Sequence, residues 1–442
     1  MLKCGFYAVD MTPKFGLNIP GYFYSRTADG IRDPLYARAC VFDDGENIFA
    51  AVVLDMLYIS TPSVKKIRER VNSFTGIRED CIMVACTHTH TGPPTDRYAP
   101  NAHDSAECTA QIICNAADAI IMAYNDRKEA RIGFGSTNEY SVAFNRRYYM
   151  KDGTFKTNPG LLNPEVDRVA SPIDPEVGVL RVDNADGEPM GVIVNFAVHA
   201  DVVAGTKYCS DYIGELDRTL KKIYGDDFGV VFMNGCCGDI NHLDVLGGSN
   251  LPRGKHHLKM GRILAGDTVS VLEAVQTVGG VGLKVANGGF NGTRRRPTKE
   301  NYEWALGILA QENPSDIDKS YANSYKSMFE EPLADPYVEL MAVRFEFTEA
   351  LRCGTVPGDI AICSMPGEIF VEIGLDLKAK SPCAHTMICE LANECYGYIS
   401  TAAGIEQGGY EAKISKYTNM EKDTAELLVS THTALLNELK SK

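Results

Sequence analysis

The segment from Phe49 to Cys86 constrains the fold of this chain more than any other. FAAVVLD (49–55) has the length and apolar content of a buried strand. The stretch from Ser60 to Ser73 then sets Val64, Ile67 and Val71 on one helical face. CIMVAC (81–86) is a second buried-strand run. Strand, helix and strand in that order predict a βαβ unit with a parallel pair, because a parallel return needs a crossover. A polar, Pro- and Gly-rich loop from Thr87 to Asn101 and a largely apolar helix from Glu107 to Tyr124 follow.

The rest of the chain extends this pattern. Strands are expected at 177–182, 191–198 and 228–233, all free of proline. Turn signals at Asn184–Gly187 and Gly225–Asp227 separate them. Lys255 to Glu273 is expected to be a helix. Rising glycine content from Gly279 to Gly289 suggests a strand at a sub-domain boundary. The polar, charged stretch from Thr298 to Glu331 suggests an inserted helical segment. Strands are expected again at 338–347 and 359–365, and an amphipathic helix from Met420 to Leu439. No internal repeat is visible. The expected class is α/β: mixed sheets with helices packed on the outside, in a single domain spanning 1–442, with the insertion around 298–331.

Composition narrows the function. The formal charge of −14 is spread along the chain with no basic block, which argues against a nucleic-acid partner. An anionic substrate would need a local basic pocket, for which Arg146 and Arg147, or the run Arg294, Arg295 and Arg296, are the candidates. No stretch reaches the roughly 18 apolar residues of a membrane span. The opening MLKCGFYAVD lacks the apolar core and cleavage site of a secretory signal. The cysteines form no CxxC pair and several lie in apolar runs, as Cys86 and Cys363 do. Reduced, buried thiols in a cytoplasmic protein are therefore expected. The expected partner is a small-molecule substrate, with homo-oligomerisation left open.

The strongest chemical signal is Thr87-His88-Thr89-His90-Thr91-Gly92-Pro93, just past a strand. Ligands bind at that edge of open α/β sheets. In extended backbone, His88 and His90 would point to one side. Two adjacent imidazoles suit zinc, or one ligand beside one catalytic group. The flanking threonines are candidates for setting the ring tautomers. His199 also caps an apolar run, in GVIVNFAVHAD. Glu368 follows Pro-Gly after another strand. The Gly-rich turn NGCCGDIN (234–241) offers backbone amides to an anion or oxyanion. Its Asp239 fits a structural turn residue equally well, and Cys236 and Cys237 are read as small packing residues.

In this order the motifs resemble the catalytic domain of the neutral, non-lysosomal ceramidases. GFYAVDMTP, DPLYARACVF (33–42), THTHTGP, FNRR (144–147), NFAVHAD, NGCCGDIN, MPGE, and GYIS followed by YEA carry the resemblance. It implies a ceramidase-catalytic-domain-like fold and a catalytic Zn2+ held by His88, His199, Glu368 and Tyr398. It further implies that His90 faces the substrate carbonyl and that Arg146 and Tyr410 contact substrate.

Two departures bear on the substrate. The family's GDxSPN serine aligns with Asn241, whose amide cannot serve as a covalent nucleophile but can donate a hydrogen bond to an oxyanion. The family also continues into a β-sandwich domain, whereas this chain runs about thirty residues past Tyr410. No exposed apolar rim for a lipid is legible. The expected function is a zinc-dependent hydrolase cleaving the amide C–N bond of a small polar N-acyl or lactam-like substrate by a metal-activated water. The alternatives are a zinc esterase or lactonase, or a ceramidase acting on a lipid N-acyl substrate; and, from another class, a metal-retaining binding protein without turnover.

Overall fold

The computed structural model describes residues 1–95, 102–248, 254–347 and 358–441. The last residues of the expected Thr87–Asn101 loop, 96–101, lie outside them. Strand Ile48–Leu54 lies parallel to strand Ile82–Cys86, with Ala50 opposite Ile82 and Leu54 opposite Cys86. Helix Thr61–Thr75 makes the crossover and buries Val64, Ile67 and Val71. It opens with Pro62 in its first turn and stops at Gly76 (φ 74°), whose N–H returns to the Asn72 carbonyl. The βαβ reading is thus correct. Helix Ala102–Asn125 begins one turn ahead of Glu107.

These strands end an eight-stranded mixed sheet. Its order is Gly229–Asn234, Pro189–Phe196, Glu176–Asn184, Lys128–Asn138, Lys3–Asp10, Tyr36–Asp43, Ile48–Leu54 and Ile82–Cys86. A four-stranded sheet follows the order Gly282–Asn291, Tyr337–Glu346, Ile360–Ser364 and His385–Cys389.

Side-chain alternation explains how the layers stack. Along Ile48–Leu54, Ala50, Val52 and Leu54 pack with Val64, Ile67 and Ile120 of the covering helices. Phe49, Ala51 and Val53 point the other way, against Phe345, Ile362 and Met387 of the smaller sheet. Phe42 meets Phe345 edge-on at 5.0 Å across that interface. The far face of the smaller sheet is closed by helix Thr424–Ser441, through Leu428, Leu435 and Leu436. The architecture is helices outside, two sheets face to face within. Fully burying one valine or leucine in such a core contributes roughly 1.5–3 kcal/mol.

Helices Lys299–Leu309 and Asp316–Glu330 occupy the 298–331 stretch and pack together through Ala305, Ala322 and Tyr325. Thr298 with Asn301 forms a capping box on the first, and Ser315 caps the second. Among the described residues no helix is long and apolar enough to cross a membrane.

Candidate metal centre and its cleft

Three separate strands deliver the centre. Ile82–Cys86 runs into His88, Pro189–Phe196 into His199, and Ile360–Ser364 into Glu368. Oε2 of Glu368 lies 3.2 Å from Nε2 of His88 and 3.2 Å from Nε2 of His199. The short strand Glu368–Ile369 pairs in parallel with Tyr398–Ile399, and Glu368 faces Tyr398 in the register. That pairing brings the fourth expected ligand alongside, and the Tyr398 hydroxyl interacts with both Glu368 and Arg146. The Gly-rich turn closes in from behind: a Cβ on Gly238 would sit 2.5 Å from the Glu368 carbonyl oxygen.

The backbone orients the histidines. Nδ1 of His88 donates to the Leu57 carbonyl at 2.8 Å, and Nδ1 of His199 to the Cys237 carbonyl at 2.7 Å. Each ring therefore presents the Nε2 lone pair inward, as a ligating imidazole requires. The expected role of the threonines is corrected here. Thr89 and Thr91 instead donate to the Cys209 carbonyl, at 2.7 and 3.0 Å. The route by which His88 and His90 converge is also corrected. His88 has φ 66°, a left-handed backbone rather than an extended one. The rings meet edge-on at 5.0 Å because the chain turns, not because side chains alternate. The surrounding hydrogen bonds hold this uncommon conformation, a pattern found at functional sites.

Burial opposes charge throughout this cluster. Glu368 is nevertheless held well below the usual carboxylate range, because His88 and His199 outweigh its desolvation. Burial would lower His88, but the Glu368 charge beside it raises it. His199 is pushed down to about 3 by burial and by Arg146. Burial and Glu368 raise Tyr398 well above an ordinary phenol. The three converging atoms are buried and lack a hydrogen bond of good geometry. One proton would bridge only two of them. A divalent cation would satisfy all three together with the Tyr398 oxygen, so the residues fit the metal that the resemblance implies.

His90 lies on the open side of the centre. Neither of its ring nitrogens has a hydrogen-bond partner, and burial keeps it neutral. One nitrogen each from His88, His90 and His199 fall within 4.8 Å of one another, while Glu368 touches only His88 and His199. Nδ1 of His90 is 3.8 Å from Oδ1 of Asp201, which also accepts the Tyr22 hydroxyl. Gly21 (φ 106°) lets the Pro20–Arg26 loop cross His90 so closely that a Cβ there would lie 2.7 Å from Nδ1. Arg26 clamps the loop by donating to the carbonyls of Pro20 and His90 and stacking over Tyr22 at 4.0 Å.

The remaining expected residues divide. Arg146 stands 5.4 Å over the Tyr398 ring and pairs with Glu411, and Tyr410 lines the cleft 5.4 Å from Tyr398. Asn241 is not among the cleft-lining residues. Its Nδ2 donates to Asn158 and its Oδ1 accepts from the Leu243 N–H. In the turn NGCCGDIN the amides of Gly235, Cys237, Gly238 and Ile240 are bonded within the protein rather than turned to an anion. Asp239 is structural, accepting from Val371 and Asn145. Arg294, Arg295 and Arg296 are engaged by neighbouring backbone carbonyls and form no anion pocket. The cysteines agree with expectation, since those among the described residues are free thiols and mostly buried.

An apolar rim does exist, assembled from distant segments. Tyr22, Phe23, Tyr58, Tyr321 and Tyr410 line the cleft, with Phe23 6.0 Å from both Tyr321 and Tyr410. Sequence reasoning also missed Asp201, Glu411 and Glu390, although the first two stand inside quoted motifs. Glu390 is fully buried, its pKa raised to about 8 by burial. It accepts from the N–H and thiol of Cys237, and so fixes the turn whose carbonyl orients His199.

Residues 3–210 match the family model described as neutral/alkaline non-lysosomal ceramidase, N-terminal. The fold matches across the whole chain. A crystal structure of neutral ceramidase from Pseudomonas aeruginosa superposes with a TM-score of 0.75 at 18% identity, covering 100% of this chain and 74% of that one. A structure described as ceramidase complexed with C2 gives 0.73 at 17% identity, over 100% and 75%. The resemblance read from the ordered motifs is thereby shown, and so is the α/β class.

Proposed function

Starting from this relationship to the neutral/alkaline non-lysosomal ceramidases, we propose that the chain is a zinc-dependent hydrolase that cleaves the amide bond of an N-acyl substrate. The observation that carries the reading is Glu368 Oε2 equidistant from two inward-facing imidazole nitrogens, with Tyr398 beside it. His88, His199, Glu368 and Tyr398 would hold the metal. Bound zinc supplies Lewis acidity, polarising a carbonyl and bringing the pKa of water toward neutrality.

The protein's own groups do the rest. The Asp201 carboxylate 3.8 Å from Nδ1 of His90 favours the ring proton on that nitrogen, leaving Nε2 to carry a proton between water and the leaving amine. The guanidinium of Arg146 and the hydroxyl of Tyr410 flank Tyr398 and stabilise negative charge developing on the carbonyl oxygen. Asn241, tied to Asn158 and Leu243, provides no covalent nucleophile. The reaction is therefore direct attack by water.

The aromatic cleft refines the substrate. A wholly polar or lactam-like molecule leaves Phe23, Tyr58 and Tyr321 without apolar contact, so the acyl part is apolar. A lipid N-acyl substrate, ceramide included, is the second reading, and the same rim favours it. The test is a panel of short- and long-chain N-acyl amides and esters, with and without detergent, on the wild type and His88→Ala. Metal content and amide hydrolysis are expected to disappear together in the variant. Full hydrolysis by a metal-free preparation would overturn the proposal.

A further inference from the structure

A second cluster of donor atoms lies outside the cleft. The two-residue strand Gly30–Ile31 pairs in parallel with Lys207–Tyr208, with Ile31 opposite Tyr208. The N–H groups of Arg32 and Asp33 both reach the Tyr208 carbonyl. This pairing sets the next side chains against each other, and Cys209 Sγ lies 2.9 Å from Asp33 Oδ2. Helix His256–Ala274 brings His257 to the same point in its first turn. One donor atom from each of Asp33, Cys209 and His257 falls within 4.8 Å of the others, and all three residues are buried.

We propose that Asp33, Cys209 and His257 form a second, zinc-type metal site. Thiolate, imidazole and carboxylate are the donors zinc prefers, and donor atoms around a tetrahedral zinc lie roughly 3–4 Å apart. The independent indication is His257, only 2% exposed, whose Nδ1 has no hydrogen-bond partner. Leaving such an atom unsatisfied is costly, and native proteins avoid it. The carboxylate is already oriented: Asp33 Oδ1 accepts from Arg218 at 2.7 Å, leaving Oδ2 for a single metal bond. Three protein ligands and one water complete the shell.

Proton balance follows from the surroundings. Burial, with Asp211 and Asp33 nearby, keeps Cys209 a thiol in the metal-free protein. Metal binding therefore releases one proton to solvent and replaces the S–H to Asp33 hydrogen bond with two metal bonds. The site buttresses the cleft. The Cys209 carbonyl receives the hydroxyls of Thr89 and Thr91, and its N–H donates to the Thr91 carbonyl at 3.1 Å. A metal on Cys209 holds the segment that carries His88 and His90.

Cobalt(II) added to the metal-free full-length chain tests this. The wild type is expected to bind two ions per chain and to show a thiolate-to-cobalt charge-transfer band in the near ultraviolet. Cys209→Ser and His257→Gln are each expected to bind one, and Cys209→Ser to lose the band. His88→Ala is expected to bind one ion with the band retained, so failure of the hydrolase reading and failure of this one are distinguishable. A wild-type spectrum without the band, or a band that survives Cys209→Ser, overturns the site. Should the variants not fold, X-ray absorption on the zinc-loaded wild type decides. A sulfur neighbour at about 2.3 Å supports the site; a shell of nitrogen and oxygen alone overturns it.

Discussion

Arg146 donates from Nε to Oε1 of Glu411 at 2.8 Å, with the Glu411 carboxylate fully out of solvent. Glu411 also accepts from Thr157 and lies 3.7 Å from Arg147. One buried carboxylate thus anchors two arginines, of which Arg146 stands over the ring of the cleft-lining Tyr398. Breaking such a pair leaves an uncompensated buried charge, which costs about 3–5 kcal/mol. Glu411→Gln is therefore expected to lower unfolding free energy by about that amount and to reduce kcat/KM at least tenfold. Denaturant titration and steady-state kinetics check both, and a variant as stable as wild type would show the pair to be energetically idle.

The two histidines of the THTHT segment are expected to separate under mutation. Glu368 touches His88 and His199 but not His90. His90→Ala is expected to keep its metal while losing about 10²–10⁴ in rate, the usual range for a proton-transfer group. Glu368→Gln is expected to lose the metal as well. Elemental analysis beside the assay distinguishes them, and loss of metal in His90→Ala would make His90 a ligand.

Asp201 accepts the Tyr22 hydroxyl and places its charge 3.8 Å from Nδ1 of His90. Asp201→Asn and Tyr22→Phe are expected to lower kcat by roughly tenfold with metal content unchanged and KM little affected, since neither change removes a metal ligand. A fall in KM-type binding alone, with kcat intact, would assign the pair to substrate contact.

Asn241 is held by Asn158 and Leu243 rather than turned to the cleft. Asn241→Ala is expected to cost about 1 kcal/mol of stability, as for a lost neutral hydrogen bond, and less than about tenfold in activity. A drop of a hundredfold or more at unchanged stability would restore the oxyanion role.

His432 gives a pH signature away from the metal centre. It is fully buried, its Nε2 donates to the Ser364 carbonyl at 2.7 Å, and burial lowers its pKa from 6.5 to about 4. Between those values the unfolded chain binds a proton that the fold does not. Stability from the neutral ring is thus complete above pH 6.5 and is lost as pH falls toward 4, by roughly 3 kcal/mol in total. His432→Gln keeps a donor without titrating. It is expected to flatten the slope of unfolding free energy across that window, and an unchanged slope would count against the assignment.

The sequence by itself determined the local periods and their order. Apolar runs at 49–55 and 81–86 around an amphipathic segment leave a parallel βαβ unit as the economical fold, and the structure has it. The ordered motifs likewise singled out His88, His199, Glu368 and Tyr398, which converge. Tertiary structure alone decided what depends on distant chain segments meeting. The left-handed turn at His88 is set by the Leu57 and Cys209 carbonyls, which no local pattern announces. The aromatic rim draws on Tyr22, Phe23, Tyr58, Tyr321 and Tyr410, from four segments far apart in the chain. Asn241 and the three arginines at 294–296 look chemically available in a string of letters. In the fold they are committed, because buried polar groups take whichever partners packing brings within reach.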